Sequence, residues 1–450
     1  MSRLRILLLA PDANPESISV SLVAYRHAEA LARLHSVTLV GRSSNDQALR
    51  RAQAPFHAIE TIEVPWLDSI FNWCVRWIFK NNFHSRVLTA FSYPFSIAFE
   101  WCAWRRTRNR IVAGEFDIVL RLSPVISVIP SAFPFFLRKY SVPFIIGPIN
   151  GGLPWPQGFS QAANQKGWID NLRDLYRFLP FSKSTYRRAA AIIAGSSNTY
   201  AEFIGYLDKL FFIPENAVSR SLCSDNERRS PRNGQLEFIF VGGLVPYKAC
   251  DLALRAAAPF LRSGQAHFTV AGDGPERERL EQLAKSLGIE ETVSFLGMLT
   301  HAEAMRQLGS ADVMVFPSVR EFGGGVVFEA LAVGAIPVVA DFGGPGDLIY
   351  PEVGYKVPLT NEIDMVAKLE TALGNLVHDR GLLGRLRQQG MTYARERLTW
   401  DAKALDTTAV LLWVLGRGPK PHLLPPKAMA VDVSSLREGS ASQTSGVVSG

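Results

Sequence analysis

Two glutamates, Glu321 and Glu329, enclose three consecutive glycines, Gly323, Gly324 and Gly325, in REFGGGVVFEALAVGAIPVVA (320–340). Glycine lets a backbone approach an anion closely. The start of a helix supplies free N–H groups and a partial positive charge. The carboxylates do not serve that anion, because like charges repel. Ionised carboxylates only accept hydrogen bonds, which suits hydroxyl groups. A ligand with a diphosphate between two polyols satisfies both halves of the stretch, and that describes a nucleotide sugar. GGLVPYK (242–248) brings Gly242, Gly243 and a cation for phosphate, Lys248.

These residues need elements to hold them. Short apolar runs alternate with amphipathic stretches along the chain. In the first half the runs are RILLLA (5–10), SVTLVG (36–41), DIVLRL (117–122), FIIGP (144–148) and AIIAGS (191–196), with helical periodicity over 20–34. In the second half they are LEFIFVGG (236–243), HFTVAGDG (267–274), VSFLG (293–297), ADVMVFPS (311–318) and IPVVA (336–340). Helices are expected at 251–261, 276–287 and 326–333, and Thr300 with Glu303 forms a capping-box pattern opening another. Strands alternating with helices imply parallel sheets. The glycine loops at 242–248, 271–275 (with Gly272), 321–325 and 341–346 then open at one sheet edge, where open α/β sheets bind ligands. The polar stretch 215–235 reads as an interdomain connection. The fold class is α/β, with two doubly wound domains.

The chain has 450 residues, 47% hydrophobic and 20% charged, with a net charge of +7. That balance favours a globular protein with an anionic partner. Cys74, Cys102, Cys223 and Cys250 form no Cys-x-x-Cys pair, so neither a zinc site nor a disulfide framework is expected. No acidic Asp-x-Asp metal motif occurs. The apolar core at 6–10 is shorter than the roughly 7–15 residues of a signal peptide, so a first strand is expected there. The expected location is cytoplasmic, at the inner face of the membrane if the 66–110 region contacts lipid. That region carries Trp66, Trp73, Trp77, Trp101 and Trp104 among Arg76, Lys80, Arg86, Arg105, Arg106, Arg108 and Arg110. Aromatics mixed with cations suit a membrane interface. They equally suit a helical insertion with its tryptophans in the core, and less well single-stranded nucleic acid; no nucleic-acid partner is expected.

The segment 321–329 resembles the Glu-(seven residues)-Glu signature of the retaining glycosyltransferases of family 4. FVGGLVPYK, AGDGPERERLEQLAKSLGIEETVSFLG and ERLTWDAKALDTTAVLLWVL resemble further segments of that family. The similarity is strong over about 238–415 and looser before it. The resemblance implies the GT-B fold: Rossmann-like acceptor domain 1–213 with an insertion at 66–110, Rossmann-like donor domain 214–390, and a helix at 391–416 packing back on the first domain. Residues 417–450, rich in Pro, Ser and Gly, are expected to be disordered. The implied substrate is a UDP- or GDP-sugar, with no cofactor and no metal. The implied acceptor is a hydroxyl of a saccharide or lipid-linked saccharide in cell-surface polysaccharide or glycolipid synthesis. Glu321 and Lys248 would be catalytic, Glu329 would hold the ribose, and Phe322 with Gly323, Gly324 and Gly325 would present amides. Asn150, Gly151 and Gly152, in GPINGGLPWPQGF (147–159), are the acceptor-facing candidates.

The chain departs from the family's pattern in three places. Gly243 stands where the family usually has arginine, Arg121 stands in a run that usually ends near a histidine, and PDANPESISVSL replaces an N-terminal Gly-Gly loop. Two other readings are therefore carried: a catalytically silent nucleotide-sugar-binding subunit, and a nucleotide-sugar epimerase or hydrolase on the same fold.

Overall fold

The computed structural model describes residues 3–64, 92–151, 153, 159, 179–223 and 234–426. Two parallel sheets organise it. The first contains β1 (Arg5–Leu9), β2 (Ser36–Arg42), β3 (Ala58–Ile62), β4 (Ile118–Arg121), β5 (Phe144–Ile149), β6 (Ala191–Ala194) and β7 (Leu210–Phe212), in the order β3-β2-β1-β4-β5-β6-β7. The second contains β8 (Leu236–Val241), β9 (Ala266–Ala271), β10 (Val293–Gly297), β11 (Val313–Phe316), β12 (Ile336–Ala340) and β13 (Tyr355–Val357), in the order β10-β9-β8-β11-β12-β13. The central strands β4 and β11 are buried at every position, and apolar except for Arg121 at the end of β4. Helices covering both sheet faces require this. The strand order reverses between β1 and β4, and again between β8 and β11. The crevice outside such a switch point is where doubly wound sheets take ligands.

The helices used below are α1 (Val20–Leu34), α2 (Tyr93–Val112), α3 (Ser197–Glu202), α4 (Cys250–Arg262), α5 (Arg277–Ser286), α6 (His301–Ser310), α7 (Gly325–Val333), α8 (Gly343–Leu348), α9 (Glu362–His378), α10 (Arg380–Arg397) and α11 (Trp400–Val414). The expected capping box opens α6: Thr300 Oγ1 accepts from Glu303 N, and Glu303 reaches back to Thr300 N. The helices expected at 251–261, 276–287 and 326–333 are α4, α5 and α7.

The returning helix is α11, and its start differs from the sequence reading. Residues 391–397 belong to α10. The chain breaks at Leu398 because Val218 pairs there, donating to Leu398 O at 2.9 Å and accepting from Trp400 N at 3.0 Å. Thr399 then caps α11 through Ala402 N. The helix packs on α1, where His27 and His35 meet Thr407 and Thr408 at 3.0 and 2.8 Å. Beyond it, the first part of the expected disordered tail is placed: Leu423 O accepts from Phe212 N at 2.8 Å, extending the β7 edge, and Lys420 Nζ bonds Asp208 O. Residues 427–450 lie outside the described residues.

The expected polar connection also differs at its start. Glu215, Val218 and Cys223 are buried; Val218 joins the core of the second domain.

Of the Trp/Arg-rich region, 65–91 lies outside the described residues, with Trp66, Trp73, Trp77 and Cys74. The rest is α2, which divides its tryptophans. Trp104 is in the core, stacked on Phe136 at 5.6 Å. Trp101 is 50% exposed.

Candidate active site

Two loops meet at the β8/β11 switch point. The first leaves β8 through Gly242 and Gly243, makes one turn at Pro246–Lys248 and enters α4 after Ala249, which takes a left-handed φ of 54°. This turn aims Lys248 at the second loop. Its Nζ lies 4.9 Å from the Phe316 ring centroid and forms an ion pair with the Glu321 carboxylate.

The second loop leaves β11 and carries Glu321, Phe322, Gly323 and Gly324. Gly324 has a left-handed φ of 58° and stands at the N-cap of α7. The amides of Gly323, Gly324 and Gly325 donate to none of the described residues. They form a cluster of free donors at a helix start, which suits an anion. Arg320 lies over the Phe322 ring at 5.5 Å.

Glu329 lies one turn into α7, with a quarter of its side chain exposed. Burial pushes its carboxyl up to about 7. The exposed His301 is 3.8 Å away. A half-buried carboxylate with so little support is suited to accepting hydrogen bonds from a ligand's hydroxyls.

Several glycines have a different role from the one expected. Gly272 is buried and gives its N–H to Gly297 O at 2.9 Å. A Cβ there would meet Gly242 O at 1.9 Å. Gly272 therefore supports the Gly242 loop from beneath and does not present an amide to a donor. Likewise Gly343 and Gly344 permit the β12 loop to pass under the donor loop; a Cβ on either would fall 2.0 or 2.2 Å from Glu321 O or Phe322 O. Gly344 N donates to Phe322 O at 2.9 Å. Gly243 is exposed with nothing within 4 Å of where a Cβ would stand.

On the opposite side, Asn150 follows β5 and is buried. Its side-chain amide donates to the Glu215 carboxylate. Gly151 N donates to Thr199 Oγ1 at 2.6 Å, and the Glu202 carboxylate presses where a Cβ would be. Gly152 lies outside the described residues. Arg121, at the end of β4, is fully buried against Glu100 at 3.2 Å and Ile129 O at 3.0 Å. That guanidinium is thus committed to the interior, pairing with α2.

Four residues at this junction were not singled out from sequence. Asn216 touches Gly323 and Gly325. Asp347 accepts from Ser197 N at 2.7 Å, joining α8 to α3 across the domains. Glu215 and Lys403 are buried together. A signal existed for the last two: Glu215 directly follows the apolar run LFFIP, and Lys403 sits at a core register of α11, near Trp400, Thr407 and Leu411.

Residues 224–391 match the family model described as Glycosyl transferases group 1. The C-terminal half is similar to glycosyltransferases. An uncharacterised glycosyltransferase of Methanocaldococcus jannaschii is 31% identical over 187 residues, covering 41% of this chain and 47% of that protein. Glycogen synthase of Mycobacterium tuberculosis is 31% identical over 203 residues, covering 43% and 47%. The chain thus spans about half the length of the curated relatives it matches. Over both domains, the Anabaena HepE structure in complex with UDP aligns with a TM-score of 0.58 at 16% identity, covering 91% of this chain and 99% of that one. The fold is GT-B.

Proposed function

We propose that the protein is a retaining glycosyltransferase of family 4. It moves a sugar from a UDP- or GDP-sugar to a hydroxyl of a saccharide or lipid-linked saccharide, in cell-surface polysaccharide or glycolipid synthesis. The observation that carries this reading is the arrangement of three free amides at the start of α7 between one lysine and two carboxylates. The complex of HepE with UDP supports a uridine donor.

In this reading Glu329 accepts from the ribose hydroxyls. Gly323, Gly324 and Gly325 donate to the diphosphate, and Lys248 leaves Glu321 to neutralise it. Glu321 then accepts from the donor sugar. The acceptor oxygen bonds to the anomeric carbon as the bond from that carbon to the phosphate oxygen breaks on the same face. The hydroxyl proton passes to the departing phosphate. Preorganised cationic and amide donors stabilise the leaving charge, so no divalent metal takes part. Asn150 and Gly151 form the acceptor-facing wall. The acceptor is met at the cytoplasmic face of a membrane, through the exposed side of α2.

The test is a thermal-shift and turnover screen of UDP-, GDP- and ADP-sugars on the wild type and on Glu329→Ala. Stabilisation by one nucleotide class, lost in Glu329→Ala, together with transfer that retains anomeric configuration, is the expected result. An inverted product, or no stabilisation by any donor, overturns it.

The silent-subunit reading has its own support. Gly243 leaves open space where a second cation is expected, and Arg121 is consumed by Glu100. It predicts nucleotide binding without turnover against any acceptor. A donor-only epimerase or hydrolase instead predicts turnover with no acceptor present.

A further inference from the structure

Glu215 is the first residue of the crossover between the domains, and it is only 7% exposed. Burying a carboxylate costs several kcal/mol unless its surroundings compensate. Its neighbours come from every part of the cleft. From the first domain, the Asn150 side-chain amide donates to Oε2. Asn150 is itself fixed, its Oδ1 accepting from Ser196 Oγ at 3.1 Å and Thr199 Oγ1 at 3.3 Å. From α11, Lys403, 4% exposed, donates to the Glu215 backbone carbonyl. From the donor loop, Gly323 is seated so closely that a Cβ would lie 3.3 Å from Glu215 Oε2 and 2.2 Å from Asn216 Nδ2.

We propose that Glu215 is a positioning residue: its carboxylate latches the acceptor-facing end of β5 to the donor loop, so that the two walls of the cleft are held in one arrangement. A polar side chain in an interdomain connection would serve equally well if it faced solvent. Here it is placed where Asn150 and Gly323 converge: its carboxylate accepts from Asn150 of the first domain and lies against Gly323 of the donor loop. Burial raises the Glu215 carboxyl above its ordinary range, with Asn150 and Lys403 opposing that shift and Glu321 adding to it. These groups make the latch part of the same charge cluster as the candidate catalytic pair. The catalytic consequence rests on the glycosyltransfer reading; the latch itself does not.

Two readouts separate them. The first is hydrogen exchange on the nucleotide-free protein. Glu215→Ala is expected to speed exchange about tenfold or more both at 149–151 and at the amides bonded to the donor loop, Val327 N on Gly324 O and Gly344 N on Phe322 O, while cooperative unfolding persists. Glu215→Gln, which can still accept from Asn150, is expected to exchange like the wild type. Should Glu215→Ala fail to fold, Asn150→Ala breaks the same bond from the other side and must speed exchange at Val327 and Gly344. Exchange that rises only at 213–218, or a Gln variant as loose as Ala, overturns the latch. The second readout uses whichever donor the screen identifies. Glu215→Ala is expected to lose about tenfold or more in kcat with the nucleotide Kd unchanged, and Glu215→Gln to restore kcat. Equal loss of kcat and nucleotide affinity overturns a positioning role. If no donor is turned over, the glycosyltransfer reading fails and the exchange result alone decides the latch.

Discussion

The Lys248 ammonium and the Glu321 carboxylate form an ion pair across the mouth of the donor loop, each with under a fifth of its side chain exposed. In the proposed function, a diphosphate entering the site has to draw Lys248 away from Glu321. The two residues should therefore respond oppositely in binding and alike in turnover. Glu321→Gln frees the lysine and is expected to tighten UDP or GDP binding, while Lys248→Met is expected to weaken it about tenfold or more. Both should lower kcat by about 100-fold or more, as removal of a transition-state contact does. Nucleotide titration and turnover on the same preparations check this; looser binding in Glu321→Gln would contradict it.

With Glu329 holding the ribose as proposed, donor binding is expected to depend on pH. Burial disfavours its ionised form and raises its carboxyl to about 7. The folded chain then holds this proton more tightly than the unfolded chain. Stability falls as pH rises from the ordinary carboxylate range, about 4, towards about 7 and then levels off. The ionised form is the one that accepts two hydroxyls, so nucleotide affinity rises over the same window, by up to about tenfold per pH unit. Glu329→Gln should flatten both trends. Its melting temperature should exceed that of the wild type above neutral pH, and its nucleotide affinity should be weaker there. Calorimetry between pH 5 and about 8 reads both.

The two neighbouring glycine sites make a contrast. Gly272 has φ 151° and lies beneath Gly242 O, so Gly272→Ala must displace backbone. A loss of about 3 kcal/mol in unfolding free energy is expected. Gly243→Ala meets open space and should change stability by less than about 0.5 kcal/mol. Gly243→Arg tests the missing cation directly. A charge-assisted bond to a diphosphate would strengthen nucleotide binding by about tenfold. Unchanged affinity would mean that a guanidinium at this position does not reach the phosphates.

The alternation of runs and helices in the sequence was sufficient for the fold and for the sheet edge that bears the site. Parallel strands buried on both faces leave continuous apolar runs such as VMVF at β11, and these are hard to mistake. The loop that carries Glu321 and leads into the helix of Glu329 was legible because the glycine run marks a loop entering a helix. The role of Gly272 was not, because a glycine that admits a ligand and one that admits another loop look alike in sequence. Glu215 was missed for a related reason: the polar composition of 215–235 describes the average of a connection, whereas burial at 215 is set by long-range partners at Asn150 and Lys403. The break at Leu398 likewise depends on Val218, far away in sequence.

The exposed face of α2 carries the remaining prediction. Trp101, Arg105, Arg108 and Val112 follow one another at spacings of four, three and four, which places them along one side of the helix. Trp101 is 50% and Val112 57% exposed, and both arginines are exposed. Arg106 and Arg110, by contrast, pair with Glu60. Beside Trp101 lies Phe136, whose neighbour Phe135 is also exposed and is covered by Arg138 at 3.9 Å. No helix among the described residues is long and apolar enough to cross a membrane. An indole and a valine flanking two guanidinium groups that form no ion pair among the described residues instead suit shallow contact with an anionic bilayer, at about 1 kcal/mol per arginine. Arg105→Glu with Arg108→Glu should therefore release the protein from phosphatidylglycerol vesicles by about tenfold or more, more strongly at low salt. Trp101→Ala should weaken binding in a salt-independent way, because its share is apolar burial. Arg106→Glu should cost some stability through Glu60 and have a smaller effect on vesicle binding. Co-sedimentation at two ionic strengths distinguishes these cases, and equal losses from Arg106→Glu and the double variant would show that net charge, not this face, draws the protein to lipid.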